Sequence, residues 1–250
     1  MIPKEIILNN LMNEKRVMLY SYFATKRGLD DTVGFSCDTV VEWCGFKHNY
    51  HKNKINDQIA DLIYKLVEYE YIEVNEKIFR NNCNIANLKH EKFDIDNQFA
   101  LIYFDEINNI RNFKYYTKDT NKMNSAILLL VLSYLRVNML RRQNGYLGKE
   151  SDKPEFCYRM YIDIEKDLGI SSRYISRAVK ILNEMDIIVS EGMPRYKDKN
   201  DNWHTDVTLF VNKYKRENGG ESLDSKYDYK QELQWGVQYI DCKKLTNISS

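Results

Sequence analysis

The stretch Ile164-Glu165-Lys166-Asp167-Leu168-Gly169-Ile170-Ser171-Ser172-Arg173-Tyr174-Ile175-Ser176-Arg177-Ala178-Val179-Lys180-Ile181-Leu182 reads as two helices joined by a tight turn. Gly169 supplies the permissive backbone that the turn needs, and Ile170 is the apolar plug between the helices. Ser171 or Ser172 is placed to cap the second helix, leaving backbone N–H groups and a positive dipole end outward, where a phosphate fits. Ile175, Ala178, Val179 and Leu182 recur at i, i+3, i+4 and i+7, so one face of that helix belongs to a core. Arg173, Ser176, Arg177 and Lys180 repeat the same spacing on the other face, flanked by Tyr174. Arginine suits bidentate contacts to guanine edges in the major groove, while Ser, Tyr and Lys suit phosphates. A solvated basic helix face is the bland explanation of such a pattern taken alone, so the framing elements carry the decision.

That framing is present on both sides. Tyr161 to Leu168 forms the short helix before the turn, and Met123 to Arg142 a strongly apolar helix further upstream. Ile187-Ile188-Val189 and Val207-Thr208-Leu209-Phe210-Val211 read as two strands. The loop between them carries Arg195, Lys197, Lys199, Trp203 and His204, placed as a wing that reaches the DNA backbone or minor groove. Asp198 and Asp201 dilute its charge, and an ordinary solvated hairpin tip is the alternative.

The same order of elements occurs about 120 residues earlier, and such long-period repetition marks a repeated structural unit. Val17, Tyr20 and Ala24, widened by Leu19 and Phe23, make Glu14 to Arg27 an amphipathic helix that Gly28 ends. Ser36 caps a short helix over Asp38 to Cys44, closed by Gly45. Ile55, Ile59, Leu62, Ile63 and Leu66 form one stripe of a helix from about Asn53 to Tyr69, and Tyr71-Ile72-Glu73-Val74 alternates as a strand. The expected fold is therefore mainly α with small β-hairpins, an α+β chain of two tandem winged helix-turn-helix domains. Residues 1–110 form the first, 111–216 the second and main DNA reader, and 217–250 a linker and polar tail, opening with Glu217-Asn218-Gly219-Gly220. The tail, punctuated by Tyr227, Tyr229, Trp235 and Tyr239, is either disordered or docked. Between the domains, the β-like run Phe99 to Phe104 and a short helix from Asp105 to Arg111 are expected to fix how the two face each other.

Net charge is only +1, but residues 1–110 hold 13 Lys/Arg against 17 Asp/Glu, and residues 111–217 hold 20 against 14. The stronger DNA contact is accordingly expected in the second half. In the first half, Lys52, Asn53 and Lys54, with Asn56, Gln58, His48 and Tyr50, cluster at the start of the third helix, and Asn and Gln read adenine. Asp57, Asp61 and Glu68 on the same helix repel phosphate, so dimerisation or protein docking competes as the role of this domain.

Two such domains, joined by a strand of the Phe99-Ala100-Leu101-Ile102-Tyr103 type, resemble the replication initiator and replisome-organiser proteins of plasmids and phages in low-GC Gram-positive bacteria. The resemblance covers roughly residues 10–215 as architecture and matches at residue level only in the second helix-turn-helix. It implies binding to origin repeats in double-stranded DNA, bending or opening of the duplex, and recruitment of a helicase or helicase loader, with a homodimer as a further expected assembly. A winged-helix transcription regulator is the competing class, and a protein-interaction scaffold a third.

An enzyme is not expected: the sequence holds no glycine-rich phosphate loop, nucleophile elbow or HExxH. Tyr115-Tyr116, or Tyr227 and Tyr229, would suit a strand-transfer nucleophile only beside a His-hydrophobe-His motif, and His48-Asn49-Tyr50-His51 is not one. Cys37, Cys44, His48 and His51 lie near one another, but the six residues between the cysteines exceed a zinc knuckle's spacing, so no metal and no cofactor is expected. An odd total of 5 cysteines without paired spacing fits free thiols in a reducing compartment. The longest apolar run, Ala126 to Leu132, is too short for a membrane span, and Glu5 sits where a secretory signal carries only bases, so a cytoplasmic protein is expected.

Overall fold

The N-terminal residues are gathered by one buried arginine. Ile2–Pro3 (β1) and Lys4–Leu8 (α1) precede Arg16–Lys26 (α2). A helix as short as α1 has no stability of its own. Arg16, 1% exposed, donates from Nε to the Ile6 carbonyl (2.8 Å), from Nη2 to Ile7 (2.6 Å), and from Nη1 to Met12 and Asn13 (3.1 Å each). One side chain thus satisfies carbonyls that the ends of short elements leave open. Burial pushes its guanidinium down to about 10.

The computed structural model describes residues 1–74, 82–89, 99–115, 123–139, 155–193, 196–197, 203–204, 207–217 and 222–246. It is a mixed α+β chain with small antiparallel sheets, dividing into two compact units, Met1–Val137 and Asn138–Ser250. Among the described residues no helix is long and apolar enough to cross a membrane.

In the first unit, Thr32–Phe35 (β2) leads into Cys37–Trp43 (α3), followed by Ile55–Glu68 (α4), Ile72–Val74 (β3) and Asn84–Leu88 (β4). The three strands pair antiparallel in the order β2-β4-β3. Ser36 caps α3 as its sequence predicts: its Oγ accepts from the Thr39 N–H (3.1 Å), and Thr39 Oγ1 accepts from the Ser36 N–H (2.9 Å). The α4 stripe Ile59, Leu62, Ile63 and Leu66 is buried. Phe99–Ala100 (β5) pairs antiparallel with β1, so the connecting strand closes the first unit upon its own N-terminus. Phe104–Arg111 (α5) and Ser125–Val137 (α6) complete it.

The helix expected to open the second domain is present as α6, yet it packs on α1, α2, α5 and β5. The boundary therefore falls after Val137 rather than after residue 110. Apolar periodicity marks α6 as a helix but does not say which neighbours bury it. Arg136 fastens it: its Nη1 and Nη2 donate to the two Glu106 carboxylate oxygens (2.6 and 2.7 Å), and Nη1 also to the Leu101 carbonyl (2.9 Å).

The second unit runs Cys157–Met160 (β6), Tyr161–Leu168 (α7), Ser172–Glu184 (α8) and Ile188–Gly192 (β7). Tyr196–Lys197 (β8) and Trp203–His204 (β9) then pair with each other, before Val207–Asn212 (β10), Arg216–Glu217 (β11), Ser222–Leu223 (β12) and Tyr229–Thr246 (α9). Its main sheet is ordered β6-β10-β7, so in both three-stranded sheets the last of the three strands lies between the two earlier ones. Alternation along β10 sends Phe210 toward Tyr161 at the start of α7 (ring centroids 6.3 Å apart). Leu209 and Val211 point the other way, into a core with Phe156, Met193, Leu233 and Ile240.

That second core decides between the two readings of the tail: the stretch Tyr229–Thr246 is a helix docked on the sheet. Tyr229, Leu233, Val237 and Ile240 lie on one face of α9, and the helix is seated on β10. Glu232, 3% exposed, accepts from the Glu155 N–H (2.8 Å), and the Lys213 ammonium sits 4.1 Å over the Tyr229 ring.

Candidate nucleic-acid interface

The turn between α7 and α8 is three residues, Gly169 to Ser171. Gly169 adopts φ 68°, ψ 24°, the left-handed conformation that ends α7, and its N–H donates to the Glu165 carbonyl (2.9 Å). Ile170 is half-buried. Beyond the turn, Ile175, Ala178, Val179, Ile181 and Leu182 are buried, each large one contributing about 1.5–3 kcal/mol. Arg173, Tyr174, Ser176 and Lys180 are exposed and Arg177 is half-buried, so the predicted basic face stands outward along one side of α8. Lys180 reaches Glu184 at 3.8 Å, an exposed pair of little energetic weight.

The N-terminus of α8 differs from expectation. Ser171 occupies the cap position but its side chain makes no cap bond. Instead the Ser172 N–H donates to Glu165 Oε2 at 2.8 Å, across the turn from the last part of α7. Hydrogen bonds from the Ser172 side chain and backbone hold the Glu165 carboxyl below its ordinary range. The site where a phosphate was expected carries a carboxylate, because α7 presents Glu165 within reach of the open N–H.

The other end of α8 is locked by Asn183, which the sequence reading passed over. Its Nδ2 donates to the Val179 carbonyl and to Ser190 Oγ (2.8 Å each), and its Oδ1 accepts from the Ser190 N–H (2.9 Å). These bonds fix the helix against β7. From there the hairpin runs through the β8–β9 pair, with Tyr196 opposite His204 and Lys197 opposite Trp203. Lys197 thus lies in a strand of the hairpin; Arg195 and Lys199 lie outside the described residues.

In the first unit, eleven residues, Cys44 to Lys54, separate α3 from α4. Lys52, Asn53 and Lys54 are exposed together at the start of α4, with Asn53 at φ 61° and its N–H bound to Asp57 Oδ2 (2.8 Å). Asn56 is not available to read a base: it is 2% exposed, donates to Asp38 Oδ1 (2.8 Å) and accepts from the Asn49 N–H (2.9 Å). Gln58 is turned back to the Asn53 carbonyl (3.0 Å). The outward positions further along α4 are Asp61, Tyr64 and Glu68, a face that disfavours phosphate.

Division at Val137 also redistributes the charge. Met1–Val137 holds 18 Lys/Arg and 18 Asp/Glu, and Asn138–Ser250 holds 19 and 18. The unit-wide asymmetry disappears, and the local face of α8 carries the electrostatic argument.

Cys37 and Cys44 are buried core residues, and burial pushes the Cys44 thiol up. His48 is taken up by Glu42 (Nε2 to Oε1, 3.3 Å) and stacks on Tyr50. Among the described residues no group of three or more His, Cys, Asp or Glu is arranged around a metal position. Tyr227 Oη donates to the Asn212 carbonyl (2.7 Å), so it, like Tyr229, has a packing role in seating α9; Tyr116 lies outside the described residues. No family model, no curated protein and no solved structure matches the chain.

Proposed function

We propose that the chain is a duplex-DNA-binding protein in which both units are winged helix-turn-helix folds and α8 enters the major groove. One observation carries this reading: the outward face of Arg173, Tyr174, Ser176, Arg177 and Lys180, on a helix held by a three-residue turn at one end and by Asn183 at the other. A groove-reading helix needs that framing, and the adjoining hairpin supplies a wing. The shared strand order of the two sheets supports the tandem reading.

Two such units suit a replication initiator of the plasmid or phage kind, which binds repeated sites beside an origin and hands the duplex to a helicase or its loader. It acts by binding rather than by catalysis. The first unit, with Lys52, Asn53 and Lys54 exposed but Asp61 and Glu68 beyond them, makes the weaker DNA contact.

Selection of duplexes from a random library, followed by footprinting on the source replicon, tests the reading. Several dispersed repeats beside an origin are expected; a single promoter palindrome would assign the chain to transcription. Arg177→Ala should cost about 1–3 kcal/mol on the selected duplex and relax discrimination at one base pair. Lys180→Ala should weaken selected and random duplex alike and reduce the salt slope by about one. Equal small losses from both variants, with sequence preference intact, would remove α8 as the reader.

A further inference from the structure

We infer that Glu165 limits the sequence-independent affinity of the α8 surface: its carboxylate occupies the helix N-terminus and excludes the DNA backbone from it. The inference rests on the proposed role of α8. A helix N-terminus carries open N–H donors and about half a positive charge, which makes it a ready phosphate site on any duplex regardless of sequence. Contacts of that kind add affinity without information. In α8 the position is filled from within: Glu165 Oε2 accepts the Ser172 N–H at 2.8 Å, while the Ser171 side chain, the residue type usually found capping, makes no such bond. The Ser172 hydroxyl also bonds the Glu165 carboxylate, and together these bonds keep the carboxyl ionised well below neutral pH. A fixed negative charge there repels an approaching phosphate. Backbone contact is left to side chains such as Lys180, and the arginines are left to the base edges.

The direction of the effect separates this role from a structural one. A residue that merely holds α7 to α8 would weaken DNA binding when altered, whereas Glu165→Gln should strengthen it. The amide keeps an oxygen to accept the Ser172 N–H and removes the charge. The full chain and its Glu165→Gln and Asp167→Asn variants are titrated, over a series of salt concentrations, with a random-sequence duplex and with a duplex selected by the wild type. Melting curves confirm that each variant is folded. Glu165→Gln should bind random and selected duplex alike about three- to tenfold more tightly at low salt, with a salt slope steeper by up to about one and the selected-to-random ratio unchanged. Asp167→Asn removes a charge two positions further along α7, on a different side of that helix from Glu165, and should change random binding much less. Unchanged or weaker random binding by folded Glu165→Gln, or an equal gain in Asp167→Asn, would overturn the inference while leaving α8 as the reader. Failure of the wild type to bind any duplex would instead overturn the proposed function itself.

Discussion

Gly236 gives the most demanding test of how the second unit is built, because two physical effects there have opposite signs. In an exposed helix, Gly→Ala gains about 1 kcal/mol from backbone entropy. At position 236, however, a Cβ would stand 3.0 Å from Leu209 Cδ2 and 3.3 and 3.4 Å from two atoms of the Phe156 ring. Leu209 and Phe156 are fully buried, so neither has open space to retreat into. Overpacking of this kind costs about 1–3 kcal/mol, which cancels or exceeds the helix gain for alanine. Valine adds two further carbons, has a lower helix propensity, and should destabilise the seating of α9 by about 2–4 kcal/mol. Amide hydrogen exchange over residues 233–240 measures that seating directly, since undocking is the local opening that exposes these amides. Alanine should leave protection unchanged or lower it, and valine should lower it by at least tenfold. If alanine instead slowed exchange about fivefold, the full propensity gain would be present, no side chain would be in the way, and α9 would not rest on Phe156 and Leu209.

Two further substitutions probe the anchors at other points. Arg16→Met keeps the length of the stem but strips the donors from the Ile6, Ile7, Met12 and Asn13 carbonyls; it should destabilise the first unit by about 3–5 kcal/mol, read from urea unfolding followed by Trp43 fluorescence, and an unchanged midpoint would show that α1 is held by packing alone. Asn183→Ala should cost about 1–2 kcal/mol and raise exchange at the Ser190 amide, which loses its acceptor; protection at Ser190 equal to wild type would mean that α8 is not tied to β7 there.

What the sequence made legible is what short-range chemistry encodes. The α7 helix emerges at its predicted bounds and α8 follows the turn as expected, because Gly169, the stripe through Ile175 and Leu182, and the outward arginines all lie within one local window. Ser36 announced its helix for the same reason. The strands β2, β4 and β6 did not show themselves. Thr32–Phe35 contains Gly34, and Asn84–Leu88 interleaves asparagines with its apolar residues, so neither resembles a strand until its partners are known. The stripe of α9 is carried by Tyr229, Leu233, Val237 and Ile240 but broken by Gly236, whose value lies in how near it comes to Phe156, 80 positions earlier in the chain. Glu165 was missed as a cap because it comes from the preceding helix, seven residues from the N–H it binds. Caps are sought in sequence at the helix start, and this one exists only once the turn has folded.

The two units reach the same strand order with opposite treatment of the helix that follows the turn, and this contrast bears on which of them is proposed to read DNA. In the second unit the turn is three residues, the first helical turn sends Arg173 and Tyr174 outward, and nothing acidic shares the outer face before Glu184. In the first unit an eleven-residue connection is pinned from inside: Asn56 binds Asp38 and Asn49, Asp57 holds the Asn53 N–H, and the next outward residue is Asp61. Polar groups that would suit adenine edges are there consumed in building the connection itself. A common scaffold therefore does not carry a common task. The capacity to read a groove follows from whether the first turn of the helix spends its polar side chains on the fold or leaves them to solvent, and that criterion favours α8 as the proposed reader, with α4 as the weaker contact.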